Sequence, residues 1–166
     1  MKHYTKLLLI LIISWMAGSC KKFTEVDFPV NQVGSDALFA TDATAMSAIA
    51  GIYAEIMSVP NQPTNSTLTF YAGMSADELR YFQPDYREQF SSNELRRESH
   101  DFIDAQLWGP LYKLVYVTNV SLEKLDASTS LTPELKKRLI GECLYIRAWQ
   151  YFILVNLFGD VPLCLS

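Results

Sequence analysis

The stretch "PELKKRLIGECLYIRAWQYFILVNLFGDVPL", Pro133 to Leu163, decides how the chain folds. Thr132, just ahead of it, reads as an N-cap. Pro133 falls at the first helical position, where its missing N–H removes no bond, and Glu134 complements the positive end of the helix dipole. One apolar line runs through Leu135, Leu139, Cys143, Ile146, Trp149, Ile153 and Leu157, and a second through Ile140, Leu144, Ala148, Tyr151, Val155 and Phe158. Spacings of three and four predict a single helix from Pro133 to about Phe158. A helix that is apolar nearly all round must be buried on several sides. The other helices of this sequence are too few to do that, so the pattern predicts that more chain or another protein covers this one.

Working back from that helix, "ASTSLTPELKK" makes a short turn. Before it, Trp108, Leu111, Val115, Leu122 and Leu125 mark one face of a helix reaching Asp126. Gly109 and Pro110 interrupt the pattern early, so the regular part is expected to begin at Pro110 as a first-turn proline. These two helices are expected to lie antiparallel. Nearer the start, "SDALFATDATAMSAIAGIYAEIM" places Leu38, Ala45, Ile49, Ile52 or Tyr53, and Ile56 at helical spacing, with Thr41 or Ser35 as cap and an end near Met57. Between the helices, Ser58 to His100 is rich in Pro, Asn, Ser and Thr and then polar with scattered aromatics. A connection of this length in a compact domain is either a binding loop or an ordered loop with a short helix.

The beginning of the chain carries a different signal. Lys2 and Lys6 precede an apolar run from Leu7 to Ala17, which is shorter than the roughly 20 residues a membrane-spanning helix needs. Ala17, Gly18 and Ser19 ahead of Cys20 resemble the lipobox of bacterial lipoproteins, in which a lipid is attached to the cysteine and the chain is cut before it. By that resemblance residues 1–19 are a lipoprotein signal peptide, Cys20 is the lipidation site, and 20–35 is a lipidated tether. An ordinary cleaved signal and an uncut anchor are the alternatives. The acyl chains would hold the remaining body at a bilayer.

The formal net charge is −4, and losing Lys2 and Lys6 makes it two units more negative. With no basic run to neutralise phosphates, nucleic acid is excluded as a partner. Nine Tyr and nine Phe exceed what a small core needs, which suits a recognition surface as well as an aromatic-rich helical core. Cys143 falls on an apolar helical face and Cys164 follows the last helix; neither belongs to a disulfide framework or a metal-type spacing. Asp77 with Glu78, or Asp101 with Asp104, supply carboxylates without a placed partner, and read as solvated acids. His100 and Asp104 make two ligands at best, which is no specific metal site. Asn119, Glu142 and Arg147, polar residues inside apolar helices, read as structural groups that pair internally. No phosphate loop, nucleophile elbow or zinc motif occurs, so neither enzyme activity nor a cofactor is expected.

"GECLYIRAWQYFILVNLFGDVPL", Gly141 to Leu163, resembles the signature of the SusD/RagB family, the nutrient-binding surface lipoproteins of Bacteroidota. Upstream "GIY" (Gly51 to Tyr53), "SADE" (Ser75 to Glu78) and "LWGPLYKLVYVTN" (Leu107 to Asn119) follow in the family's order, as does the start "SCKKF". Cys143 stands where Ala is usual. The resemblance implies an all-α fold of helix-turn-helix repeats of tetratricopeptide type with a long binding-type loop, incomplete relative to the much longer family fold. Residues 36–166 would be the N-terminal part of that domain. It also implies a non-enzymatic glycan-binding lipoprotein, lipid-anchored in the outer membrane and facing the cell surface, that acts with a TonB-dependent transporter of SusC type on an oligosaccharide or polysaccharide. The alternative from another class is a membrane-anchored helical-repeat scaffold for a protein partner. For ligand contact, the loop offers Asp77, Tyr81, Phe82, Tyr86 and Phe90, because sugars need flat aromatic platforms and a few polar acceptors.

Overall fold

A computed structural model describes residues 35–58, 63–97 and 100–165, with the side chains of residues 35, 36, 100 and 101 left aside. The stretch read as a signal peptide, Cys20 and most of the expected tether lie outside these residues. Among the described residues there are helices and connections but no strand. The all-α class is therefore observed. No described helix is long and apolar enough to cross a membrane.

A one-turn helix α1, Ser35–Leu38, leads into α2, Asp42–Met57. Thr41 is the cap: its hydroxyl accepts from the Thr44 N–H at 3.3 Å, while Thr44 Oγ1 accepts from the Thr41 N–H at 3.2 Å. This reciprocal pair satisfies two donors that the first turn would otherwise leave open. Ala45, Ile49 and Ile52 are buried as their spacing predicts, whereas Tyr53 is left substantially exposed.

The segment read as a long loop holds more helix than its composition suggests. A π-helical turn, Pro63–Thr67, runs into α3, Leu68–Ser75, and a single turn α4, Glu88–Ser91, follows. Then α5, His100–Ile103, passes through a π-helical stretch, Asp104–Trp108, into α6, Gly109–Ala127. The regular α-helix thus begins at Gly109 with Pro110 in its first turn, as expected, and helical structure continues ahead of it in the wider π turn. The wider turn lets the Gly109 N–H reach the Asp104 carbonyl five residues back, which absorbs the bond and the space that Pro110 disturbs. Glycine suits the position, since a Cβ would lie only 3.0 Å from the Asp104 oxygen.

α7, Pro133–Phe158, packs along α6 after a five-residue turn. Thr132 stands at the N-cap without a side-chain capping bond, and its backbone N–H donates to Asp42 Oδ1 at 3.0 Å. Ser128 and Ser130 hydroxyls donate to the Phe39 and Ala40 carbonyls, which ties this turn to the start of α2. One aliphatic core joins α2 (Ala45, Ile49, Ile52) to α6 (Leu114, Leu125) and α7 (Leu139, Cys143, Ile146). Burial pushes the Cys143 thiol up to about 11, so it stays protonated and inert at neutral pH. Nearer the far end, Leu111, Val115, Ile153 and Leu154 form a second cluster under Trp108, Tyr112 and Phe158.

Beyond Gly159 the chain runs back over the hairpin as a strap. The Tyr112 hydroxyl donates to the Pro162 carbonyl at 2.7 Å; the Asn119 amide and the Tyr151 hydroxyl each donate to the Cys164 carbonyl at 2.9 Å; and the Cys164 N–H donates to the Tyr151 oxygen at 2.6 Å. Arg147 donates to Asn119 Oδ1 at 2.9 Å and fixes the amide. Asn119 and Arg147 are structural, as read from the sequence. Glu142 pairs with Arg138 on the surface.

The apolar residues of α7 divide between an inner and an outer side, but not along the two lines, since Ile140, Tyr151 and Phe158 of the second pack against the cores. At about 100° per residue, Leu144, Tyr145, Ala148, Phe152 and Val155 lie opposite Leu139, Cys143 and Gln150, and all five are exposed. Trp149 stacks on Phe152 at 5.8 Å along the same outer side. Of the first line, Trp149 and Leu157 remain partly exposed, while Gln150, on neither line, is completely buried.

Candidate functional site

Residues 76–93 form a closed loop on α3. Its base is fastened twice: Ser75 Oγ donates to the Phe90 carbonyl at 3.1 Å, and the Asn93 amide donates to the Ser75 carbonyl at 3.0 Å. Asp77 and Asn93 adopt positive φ, 60° and 55°, at the two ends. Asp and Asn tolerate that left-handed turn better than other side-chain-bearing residues. The N–H groups of Glu78 and Leu79 both donate to the Gly73 carbonyl, and Leu79 packs where a Gly73 Cβ would stand.

Inside the loop lies an aromatic cluster. Tyr71 approaches Phe90 at 4.6 Å and Phe102 at 4.9 Å, and Tyr86 approaches Phe102 at 4.6 Å, all tilted or edge-on as ring quadrupoles favour. Burial raises the Tyr71 phenol to about 12. Asp85 organises the rim. It accepts from the Tyr81 hydroxyl at 2.7 Å, from Arg87 Nη2 at 2.8 Å and from the Arg87 backbone N–H at 2.8 Å. Those Arg87 bonds hold the Asp85 carboxyl below its usual range, while desolvation and the bond to Asp85 raise the Tyr81 phenol. The guanidinium lies 4.7 Å from the Tyr81 ring centre and 5.5 Å from that of Tyr86.

In front of this rim opens a shallow concavity of about 690 Å³, walled by Arg80, Tyr81, Phe82, Gln83, Glu88 and Ser92. A smaller pocket of about 330 Å³, bordered by Phe70, Met74 and Arg87, shares Arg80 and Tyr81 with the concavity. Of the residues singled out in the sequence, Tyr81 and Phe82 wall the concavity together. The Phe82 ring is 87% exposed and carries a free aromatic face. Tyr86 stands beside them with Arg87 over its ring. Asp77 is exposed at the loop's entry turn and does not line the concavity. Phe90 is only 5% exposed, its ring packed against Tyr71 and Phe102, so it supports the loop from within and presents no face. Arg80, Gln83 and Glu88, which supply polar groups around the aromatic rim, were missed in the sequence reading because exposed polar residues in a polar loop carry no periodic signal.

The family model for SusD-like proteins, described as starch-binding associating with outer membrane, matches residues 27–166. Two proteins of Formosa agariphila are similar over nearly the whole chain: SusD-like protein P38, 26% identical across 98% of it, and SusD-like protein P25, 22% identical across 94%. The chain spans about 30% of the length of each of these curated relatives. No solved structure matches it significantly. With an all-helical fold, an aromatic-rimmed concavity and a family match over most of its length, the chain belongs to the SusD-like family of starch-binding proteins that associate with the outer membrane.

Proposed function

We propose that this chain is the glycan-contacting N-terminal part of a non-enzymatic nutrient-binding lipoprotein, anchored through Cys20 on the outer membrane and working with a TonB-dependent transporter of SusC type. The observation that carries the binding role is the exposed Phe82 ring set beside Tyr81, with Arg80, Gln83 and Glu88 around the concavity. A sugar offers C–H faces to rings and hydroxyls to such polar groups, which matches this arrangement. The outer face of α7 supports the second element of the proposal. An uncharged band from Gly141 to Val155 suits a seat for further polypeptide of the kind the longer relatives carry, rather than a surface left in water.

Affinity electrophoresis in gels containing soluble starch tests the binding role. Retardation of the wild type, lost in Phe82→Ala with the thermal transition unchanged, is the expected result. Equal mobility of both proteins with and without starch would remove it. For the membrane role, the intact mass of the native protein from the outer-membrane fraction is expected to carry acyl chains at Cys20. A species without them would contradict the anchor.

A further inference from the structure

We propose that Arg87 is a positioning residue: it does not touch the sugar but holds Tyr81 and Tyr86, and through them the rim of the concavity. The inference rests on the glycan reading above and adds to it a residue that no loop aromatic or family motif singles out.

The argument is one of occupancy. Arg87 Nε donates to both Asp85 oxygens, at 3.2 and 3.1 Å, and Nη2 donates at 2.8 Å, so the edge of the fork suited to a carboxylate or phosphate is already filled. Two tyrosine rings lie within stacking range of its planar group. Asp85, in turn, accepts from the Tyr81 hydroxyl, which closes a ring of contacts among Tyr81, Asp85 and Arg87. The walls of the two hollows agree with this: Tyr81 borders both the 690 Å³ concavity and the 330 Å³ pocket, whereas Arg87 borders the smaller pocket and does not line the concavity. Arg87 therefore meets the concavity through Tyr81, whose ring it packs against, and not by lining it. Tyr86 continues the support, since its ring packs on Phe102 and so joins the rim to the buried cluster of Tyr71 and Phe90. A lysine, with a single rounded charge, can neither bridge Asp85 with two parallel bonds nor lie flat between rings.

The test is a double-mutant cycle on the full chain, with soluble starch as the probe. Arg87→Ala and Tyr81→Ala are each expected to weaken binding by about fivefold to tenfold. The double variant is expected to bind no more weakly than Tyr81→Ala alone, because Tyr81 is the ring held by Arg87 that lines the concavity, Tyr86 standing outside its wall. Arg87→Lys is expected to recover less than half of the loss. Losses that multiply in the double variant, full recovery by Lys, or an unchanged Arg87→Ala would each overturn the proposal. A second arm needs no sugar: backbone ¹⁵N relaxation across residues 80–87 is expected to show new fast motion in Arg87→Ala while the amides of Ala45 and Leu139 stay unchanged. If the wild type ignores starch and Phe82→Ala changes nothing, the glycan reading falls. The relaxation arm then still decides Arg87, and a rim that keeps its order without Arg87 sinks the proposal.

Discussion

The aliphatic core of α2, α6 and α7 and the rim of the 76–93 loop are held in opposite ways. In the core, Ala45, Ile49, Leu114, Leu139 and Cys143 are buried without a charge among them, and the order comes from excluded water and close packing. The rim has little interior of its own; Tyr81, Asp85, Arg87 and Tyr86 hold each other by charge, hydrogen bonds and ring stacking while remaining near solvent. The first arrangement stores stability, and the second keeps aromatic faces in fixed orientation without hiding them. Phe82, left open to water, is not protected by burial.

The sharpest way to break this contrast is Leu139→Ala. It is expected to lower stability by about 2–5 kcal/mol, because a cavity opens where α2, α6 and α7 meet. Denaturant unfolding measures it, and a loss under about 1 kcal/mol would mean that the core is not the store of stability described here. Tyr151→Phe comes next. It removes the hydroxyl that both donates to and accepts from Cys164, at an expected cost of about 1–2 kcal/mol. Faster hydrogen exchange of the Cys164 amide should accompany it, and unaltered exchange would count against the strap. Thr41→Ala, which strips the reciprocal cap from α2, should cost about 1 kcal/mol, read as a lowered melting temperature.

The legibility of these regions in the sequence follows the same division. The cap at Thr41, the turn at Ser128 to Thr132 and the span of α7 were readable because a period near 3.6 and cap residues are local signals. The start of α6, with Pro110 in its first turn, was legible for the same reason, whereas the π-helical turns at Pro63–Thr67 and Asp104–Trp108 were not, because a wider turn does not follow the 3.6-residue period. Gln150, polar and on neither apolar line, lies at the centre of the inward face, a burial that periodicity of apolar residues does not signal. In the loop, the aromatic positions were legible but their roles were not. Nothing periodic separates the buried Phe90 from the exposed Phe82 eight residues earlier; the division depends on Tyr71 and Phe102, which come from other elements.

The smallest expected effect concerns acid. Because the Asp85 carboxyl is held below its ordinary value of 3.8, the folded state favours its charged form. Its contribution is therefore fully present above that ordinary value and is lost as pH falls through the lower, folded one. Starch retardation by the wild type should persist down to about pH 4 and decline beneath it. In Asp85→Asn, which removes the ionisable group, retardation should be weaker at neutral pH and should lack that acid-side decline. Superimposable profiles for the two proteins would show that Asp85 does not tie the rim together.

The strap after α7 has a consequence for how this protein tolerates change. Every bond that Tyr112, Asn119 and Tyr151 make to it ends on a main-chain atom of Pro162 or Cys164. The gripped residues are free to drift so long as their backbone path is kept. The three gripping side chains are not. Mutational tolerance should therefore be asymmetric across this contact: a library randomised at Leu163 and Cys164 would yield mostly folded proteins, whereas one randomised at Asn119 and Tyr151 would yield few.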